Sequence, residues 1–269
     1  PPFSPGYDMV GVVDKLGEDV THLRVGQRVA DLTVIGAYSE YLCLPADRLI
    51  TVPDGLDAAE AVSLVLSYVT AYQLLHRAGV VKRGQRILIT GAGGAVGTAM
   101  LQLGKRLDLQ MVGTASKAKH DLIRRLGGEP IDYRSGDPVG GIRRIYPDGV
   151  DVAFDGAGGQ SLSQAYRALR RDGRLVAYGF TNAVLGKSGS IPLDFLRVKL
   201  WNVWPDGRST TFYSIGPLRK QHADWFAQDL TALLEMLGRK EISPIIAARM
   251  PLAEARRAHE LVEHAQVQG

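Results

Sequence analysis

Apolar residues along this chain follow two different patterns. Between residues 9 and 52 they form short β-type runs separated by glycine and proline, a spacing that predicts part of a barrel or sandwich. The runs read MVGVV, RVADL, YSEYLCL and LITV. The pattern then becomes helical, and Asp57 is expected to cap a helix that opens with AAEAVSLVL and ends near Gly79.

From Arg86 to Phe180, strand-like and helix-like runs alternate without interruption. Such alternation is typical of parallel βαβ units with right-handed crossovers, so it predicts a doubly wound α/β domain. Two more helices are predicted farther on, in DWFAQDLTALLEMLGRK and LAEARRAHELVEHA. Before them, LRVKLWNVW is apolar enough to be a further strand.

Composition narrows the function by exclusion. A chain of 269 residues with 45% hydrophobic and 22% charged residues is typical of a soluble globular protein of one or two domains. No apolar run approaches the roughly 18 to 20 residues of a membrane helix, so no membrane contact is expected. The net charge of +4 is spread over separate helical segments, which does not favour nucleic acid. A single cysteine, Cys43, excludes an internal disulfide and favours a cytoplasmic setting; it is expected to be buried.

The octapeptide TGAGGAVG lies between a predicted strand and a predicted helix. Gly91 is expected to make the tight turn, Gly94 to leave room for a pyrophosphate, and Gly97 to let the helix lie close to the strand. The helix begins near Ala95 and Val96, where unpaired N–H groups attract phosphate. This arrangement predicts a dinucleotide site; the alternative is a structural turn.

The end of the second strand of the α/β domain bears on the choice of cofactor. Sites selective for NAD usually carry an acidic residue there, which holds the ribose 2′-hydroxyl. This chain has Ser116, Lys117 and Lys119 instead, and no acid. The interpretation is therefore that NADP(H) binds, with Ser116 and Lys119 holding the 2′-phosphate. The alternative is that these residues only begin a surface helix.

Several motifs in the correct order resemble the zinc-independent quinone oxidoreductase branch of the medium-chain dehydrogenase/reductase superfamily. They read GYDMVGVVDKLGEDVTHLRVGQRV, YVTAYQLL, GQRILITGAGGAVGTAMLQLGK, DVAFDGAGG and GRLVAYGF, and the resemblance covers nearly the whole chain. It implies a Rossmann NADP(H)-binding domain at 67–241 and a GroES-like catalytic domain at 1–66 and 242–269, with the active site between them. The GroES-like domain is expected to be incomplete at its N-terminus. The loop departs from the family's commoner GAAGGVG, because Ala95 stands where glycine is usual.

Zinc-containing members of that superfamily carry GHE where this chain has Gly6, Tyr7 and Asp8. A tyrosine therefore replaces a histidine ligand. One cysteine and six scattered histidines also offer no cluster at ligand spacing. No metal site is expected.

The resemblance also assigns individual residues. Tyr133 matches the family tyrosine near the 2′-phosphate, or is a packing residue at a strand end. Thr70 matches the threonine beside the nicotinamide and is the candidate catalytic residue; the alternative is a helix threonine that bonds its own backbone. Gly156 and Gly179 would permit close approach to the nicotinamide and its ribose, or simply make turns. Phe212 would lie over the cofactor, or pack.

The implied activity is that of an oxidoreductase that transfers hydride from NADPH to a quinone or to the C=C bond of an α,β-unsaturated carbonyl compound. Two alternatives stay open. One is an enoyl reductase that acts on carrier-linked acyl chains. The other is a non-catalytic nucleotide-binding relative with a structural or interaction role. A small-molecule substrate is expected. The resemblance also implies a homodimer, because members of the family often pair through an edge strand of the cofactor sheet; LRVKLWNVW could be that strand, or a strand buried inside one copy.

Overall fold

The computed structural model describes residues 3–186, 188–264 and 267. The chain divides into two compact units: Pro1–Val69 with Arg219–Gly269, and Thr70–Leu218. The second boundary thus lies before residue 219, whereas the sequence interpretation placed it at 241. The difference arises because α10 (Ala223–Gly238) packs in the first unit, against the strand Ile50–Thr51 and the helical turn Leu64–Tyr68.

The first unit contains an antiparallel sheet of three strands among the described residues, in the order β1-β2-β3. The strands are β1 (Met9–Val12), β2 (Arg28–Asp31) and β3 (Ile50–Thr51). The strand expected in YSEYLCL does not form, because Tyr41 and Leu42 are exposed and no strand in the described part of the chain pairs with this run. The expectation that Cys43 is buried was also wrong, since it lies exposed in the same run.

One continuous helix follows, from Ala58 to Ala78. It consists of α1 (Ala58–Ser63) and α2 (Val69–Gln73), each followed by a π-helical turn. The predicted cap is confirmed: the Asp57 carboxylate accepts hydrogen bonds from the backbone N–H groups of Ala59 and Glu60, at 3.0 and 2.9 Å.

This helix contradicts the expectation that no segment is long and apolar enough to be a membrane helix. It is 21 residues long with a mean hydropathy of 1.3, which is long and apolar enough to cross a membrane by length and composition alone. Polar residues interrupt the apolar residues of this helix, so the sequence shows no continuous apolar run. They are too few to bring the mean hydropathy of the helix below that of a membrane-spanning helix. Leu64, Leu74 and Leu75 are fully buried within the protein, as expected for a core helix.

The second unit is built on a parallel sheet with six strands among the described residues, in the order β6-β5-β4-β7-β8-β9. The strands are β4 (Arg86–Thr90), β5 (Gln110–Ala115), β6 (Gly128–Asp132), β7 (Val150–Asp155), β8 (Leu169–Ala177) and β9 (Ser209–Phe212). This is the doubly wound order, so the predicted fold class is confirmed. Strand order reverses between β4 and β7, where the carboxyl ends of the strands diverge and ligands bind in such sheets.

Helices connect these strands and continue into the first unit. They are α3 (Ala95–Arg106), α4 (His120–Arg125), α5 (Pro138–Ile145), α6 (Gln160–Ala168), α7 (Thr181–Val184), α8 (Ile191–Asn202), α9 (Ile215–Gln221) and α11 (Ala255–Glu263). The core of the second unit includes Leu88, Val112, Ala153 and Leu175, one from each central strand and all nearly inaccessible to solvent. Parallel strands covered on both faces require such apolar residues.

The expectation of a strand in LRVKLWNVW was wrong. Most of this run belongs to α8, which begins after Ser190 with a proline in its first turn. The edge strand is β9, which lies within the segment WNVWPDGRSTTFYSI that was expected to cover the cofactor or substrate cleft. An apolar run of this length is compatible with either structure, and Pro192, in the first turn of α8, is the local signal that favours a helix.

Candidate nucleotide-binding site

The glycine-rich loop joins β4 to α3 at the carboxyl edge of the sheet. Gly91 has φ of +65°, a conformation that side chains other than glycine rarely adopt, and it makes the turn out of the strand. Gly94 is the N-cap of α3, and no side chain caps the helix there. The first N–H groups of α3, at Ala95 and Val96, are therefore directed out of the helix end toward any bound anion.

Close packing explains a third glycine of this loop. A methyl group built at Gly97 would lie 2.6 Å from the Cα of Ala92 and 2.6 Å from the carbonyl oxygen of Gly91. The helix thus approaches the loop more closely than a side chain at position 97 would allow. A methyl group at Gly91 would meet nothing within 4 Å, so the space in front of the turn is open. This chain can therefore hold a pyrophosphate at this loop.

Substituting Gly97→Ala is expected to weaken NADPH and NADH binding to a similar extent, because the added methyl group displaces the start of α3 from the loop. Overpacking of this kind typically costs about 1 to 3 kcal/mol. Nucleotide titrations of the variant measure the effect. Gly216→Ala is the matched control, since a methyl group there meets nothing within 4 Å. Unchanged affinity in Gly97→Ala would mean that the loop geometry does not govern nucleotide binding.

Two of the residues predicted at the adenosine end, Ser116 and Tyr133, lie at the same edge of the sheet. Ser116 directly follows β5 and Tyr133 directly follows β6, and these strands are paired in parallel with Ala115 opposite Asp132. Parallel pairing with this register places Ser116 and Tyr133 side by side. The Ser116 hydroxyl does not cap the short 3-10 helix that follows it, and Tyr133 is half exposed. Both residues are thus at least partly open to solvent where the 2′-phosphate site is predicted.

Lys119 reaches back to the glycine loop. Its Nζ donates a hydrogen bond to the carbonyl oxygen of Gly93 at 3.1 Å. Its aliphatic chain covers Gly93 so closely that a methyl group there would lie 2.5 Å from the Lys119 Cδ. Partial burial lowers the pKa of the Lys119 ammonium group below its usual range. This lysine therefore places a positive charge beside the loop while it also fixes the loop backbone.

Sequence reasoning missed a second cation at this edge. Arg134 Nε donates a hydrogen bond to the Tyr133 hydroxyl at 3.2 Å, and its guanidinium carbon lies 5.3 Å from the centre of the tyrosine ring. The only signal in the sequence is its position directly after Tyr133.

The glycines predicted at the nicotinamide end pack against each other. A methyl group at Gly179 would lie 2.6 Å from the carbonyl oxygen of Gly156. A methyl group at Gly156 would lie 2.6 Å from the Cζ of Tyr178. Contacts within the protein thus suffice to require glycine at both positions. Burial raises the pKa of the Tyr178 phenol, as does the nearby Asp155 carboxylate, so this phenol stays protonated as a hydrogen-bond donor.

A buried carboxylate joins the glycine loop to the turn after β7. Asp155 Oδ1 accepts hydrogen bonds from the hydroxyl groups of Thr90 at 2.8 Å and Ser161 at 2.6 Å. Asp155 Oδ2 accepts one from the backbone N–H of Gly158 at 2.7 Å. Burial raises the pKa of Asp155, whereas these three donors oppose that shift. The motif FDGAGG thus contains a positioning carboxylate that sequence reasoning passed over in favour of its glycines.

Thr70 lies on the face of α2 that points toward the ends of β8 and β9. Gln73, one turn farther along and on the same face, accepts a hydrogen bond from the Tyr213 hydroxyl at 2.9 Å. Tyr213 follows β9 and donates its backbone N–H to the carbonyl oxygen of Ala177 at the end of β8, at 2.8 Å. Thr70 is buried, and no hydrogen bond from its hydroxyl to its own helix is found in the described part of the chain.

Phe212 belongs to a cluster of three aromatic rings at the same edge. Its ring stacks on Phe180 at 5.3 Å between centroids and tilts against Phe195 at 4.6 Å. Phe180 and Phe195 are 5.1 Å apart. Packing therefore accounts for Phe212, although the cluster stays partly open to solvent.

The residues that stand where zinc-containing members carry GHE do not fit a zinc ion. Tyr7 is exposed in the first unit, and burial raises the pKa of Asp8 to about 6. No group of three or more His, Cys, Asp or Glu side chains is arranged to hold a metal ion among the residues that the structure describes.

A parallel sheet in this strand order, with a glycine loop at the start of α3, defines a dinucleotide-binding protein of the Rossmann type. Two family models match the chain: "Zinc-binding dehydrogenase" over residues 126–269 and "Alcohol dehydrogenase GroES-like domain" over residues 1–54. The chain belongs to the medium-chain dehydrogenase/reductase superfamily. The predicted combination of a Rossmann domain with a GroES-like domain is confirmed.

Relatives of several kinds resemble the chain. It is 32% identical to a synaptic vesicle membrane protein VAT-1 homolog of Danio rerio, over 91% of this chain and 52% of that protein. It is 35% identical to a 2-haloacrylate reductase of a Burkholderia species, over 75% of this chain and 65% of that protein. The solved quinone oxidoreductase of Escherichia coli complexed with NADPH has a TM-score of 0.87 and 26% identity, over 100% of this chain and 81% of that one. The chain thus spans about half to two thirds of the curated relatives it matches.

Proposed function

We propose that this protein is a zinc-independent, NADPH-dependent oxidoreductase that transfers hydride to a quinone or to the C=C bond of an α,β-unsaturated carbonyl compound. The observation that carries the proposal is the glycine loop, with its open turn at Gly91, its uncapped helix start at Gly94 and Lys119 beside it. Similarity to a quinone oxidoreductase solved with NADPH and to a 2-haloacrylate reductase supports it.

Each group of residues has a separate task in this proposal. The N–H groups at the start of α3 bind the pyrophosphate, while Ser116, Lys119 and Tyr133 hold the 2′-phosphate. When bound, NADPH supplies the hydride. We assign to Thr70 and Tyr178 the donation of hydrogen bonds to a carbonyl oxygen that gains negative charge, because Tyr178 follows β8 beside Gly156 and Thr70 lies one turn from Gln73, which bonds Tyr213 after β9.

The direct test is a titration of the purified chain with NADPH and NADH, followed by nucleotide fluorescence at fixed salt. We expect selective binding of NADPH. Oxidation of NADPH is then measured with a panel of quinones, α,β-unsaturated ketones and carrier-linked enoyl substrates, because activity restricted to the last group would assign an enoyl reductase. Absence of binding for both nucleotides would contradict the proposal.

Chelators are expected to leave activity unchanged. The donor residues of a zinc site are not assembled among the described side chains, so the carbonyl oxygen depends on hydrogen bonds from the protein. The measurement compares NADPH oxidation before and after incubation with EDTA and 1,10-phenanthroline. Loss of activity that added zinc restores would overturn the zinc-independent assignment.

The similarity to synaptic vesicle membrane protein VAT-1 homologs favours a second candidate, a nucleotide-binding protein with an interaction role. NADPH binding without turnover of any compound in the panel would favour this candidate over the oxidoreductase.

For either function, we propose that the protein is a homodimer in the reducing cytoplasm. Sedimentation of the purified chain measures the oligomeric state.

A further inference from the structure

The side of α8 that faces solvent is strongly apolar. Leu193, Leu196, Leu200, Val203 and Trp204 are each between 44% and 77% exposed. We call these five residues, on α8 and immediately after it, the outer face of α8. A soluble domain rarely exposes so many large apolar side chains together, and such patches usually mark a surface that contacts a partner.

The opposite side of α8 is fixed to the second unit. Asp194 is fully buried, and its Oδ2 accepts a hydrogen bond from the backbone N–H of Gly159 at 2.7 Å. Val198 is buried, and Trp201 stacks on Tyr166 with ring centroids 4.4 Å apart. The helix cannot turn its outer face inward without breaking these contacts. The apolar surface is therefore a permanent feature of this unit.

The distribution of charge around this face is one-sided. At about 100° per residue, the three apolar residues within α8, Leu193, Leu196 and Leu200, lie within an arc of roughly 60°, with Lys199 on one side of it and Arg197 on the other. Asp194 is the only acidic residue of α8, and it is buried and paired with Arg197 at 3.1 Å. No ion pair of Lys199 is found within the described residues. Because Asp194 offsets the charge of Arg197, the exposed charge that remains along the helix is the positive charge of Lys199.

This pattern separates two possible partners of the outer face. A second copy of the chain, packed through the same face, would bring two Lys199 side chains to one interface with no carboxylate of α8 left to offset them, and like charges repel. An anionic lipid surface accepts both features, because the apolar side chains enter the acyl boundary while Lys199 remains at the headgroups. We propose that the outer face of α8 binds this protein peripherally to anionic membranes. No step of hydride transfer uses this face, so the proposal goes beyond the oxidoreductase function.

The test is co-sedimentation of the full chain with lipid vesicles. One preparation is phosphatidylcholine alone, and the other is phosphatidylcholine with phosphatidylserine at about three to one. We expect binding to the second preparation. The double variant Leu200→Glu with Val203→Glu should bind it at least about tenfold more weakly, a factor that corresponds to 1.4 kcal/mol. Val262→Glu is the matched control, because Val262 is also an exposed valine on a helix.

The charge contribution is tested separately. Lys199→Gln should lower the affinity for the phosphatidylserine vesicles about fivefold, since one cation near such a surface contributes about 1 kcal/mol. NADPH titration of every variant shows that the nucleotide site still folds, so a failure of membrane binding is distinct from a failure of the oxidoreductase function. The proposal is wrong if the unmodified chain binds neither preparation, or if the face variants bind like Val262→Glu. It is also wrong if these variants only convert a dimer into a monomer.

Discussion

Replacing Arg219 by methionine is expected to lower the free energy of unfolding by about 3 kcal/mol. Arg219 pairs with Asp31 at the end of β2 and donates a hydrogen bond to the carbonyl oxygen of Leu32. Its guanidinium carbon also lies 4.5 Å from the centre of the Phe226 ring. Asp31 is fully buried, so without Arg219 its charge retains a single partner, Arg48, at 2.7 Å. Urea unfolding followed by circular dichroism measures the change.

Arg239→Met is the matched control for this prediction. Arg239 is also an arginine in the first unit, but its pair with Glu235 at 3.3 Å is largely exposed, and its pair with Glu241 at 3.2 Å is partly exposed. Exposed pairs contribute at most about 1 kcal/mol. The double variant Asp31→Asn with Arg219→Met is expected to lose less free energy of unfolding than the two single variants lose in total, because no uncompensated charge remains buried. Equal losses of unfolding free energy in Arg219→Met and Arg239→Met would show that the burial of Asp31 does not increase the contribution of its ion pair to stability.

The fold of the second unit could be predicted because its signals are local. Alternation of apolar strands and helices defines a parallel sheet, and glycines at three-residue spacing define the turn between β4 and α3. The packing reasons for Gly91 and Gly97 follow from the same geometry, since one requires a positive φ and the other a close approach. Asp57 likewise caps its helix through a short-range interaction.

Features that depend on distant partners could not be predicted. Asp194 holds Gly159 from 35 positions along the chain, and no local pattern marks that pair. Arg219 and Asp31 come together from opposite ends of the sequence for the same reason. The identity of the edge strand also depends on tertiary context, because the polar run of β9 pairs with β8 while the apolar run before it forms α8.

Lys119→Ala is expected to weaken NADPH binding about 10- to 150-fold and NADH binding much less. A charge-assisted hydrogen bond to the 2′-phosphate typically contributes about 1.5 to 3 kcal/mol, and NADH lacks that phosphate. Parallel titrations with both nucleotides measure the difference. Lys117→Ala is the matched control, since Lys117 is an exposed lysine in the same short 3-10 helix. Its affinity for both nucleotides should change little.

The structure also defines the competing outcome for Lys119. Because its Nζ bonds the carbonyl oxygen of Gly93, its removal could loosen the glycine loop itself, and both nucleotides would then lose affinity equally. Dependence on pH separates the two roles further. Burial lowers the pKa of Lys119, so its charge is present below that pKa and is lost as pH rises through it. Selectivity for NADPH should therefore decline as pH rises, and the decline should begin at a lower pH than it would if Lys119 had the pKa of an exposed lysine. In Lys119→Arg, where the charge persists, selectivity should survive to higher pH.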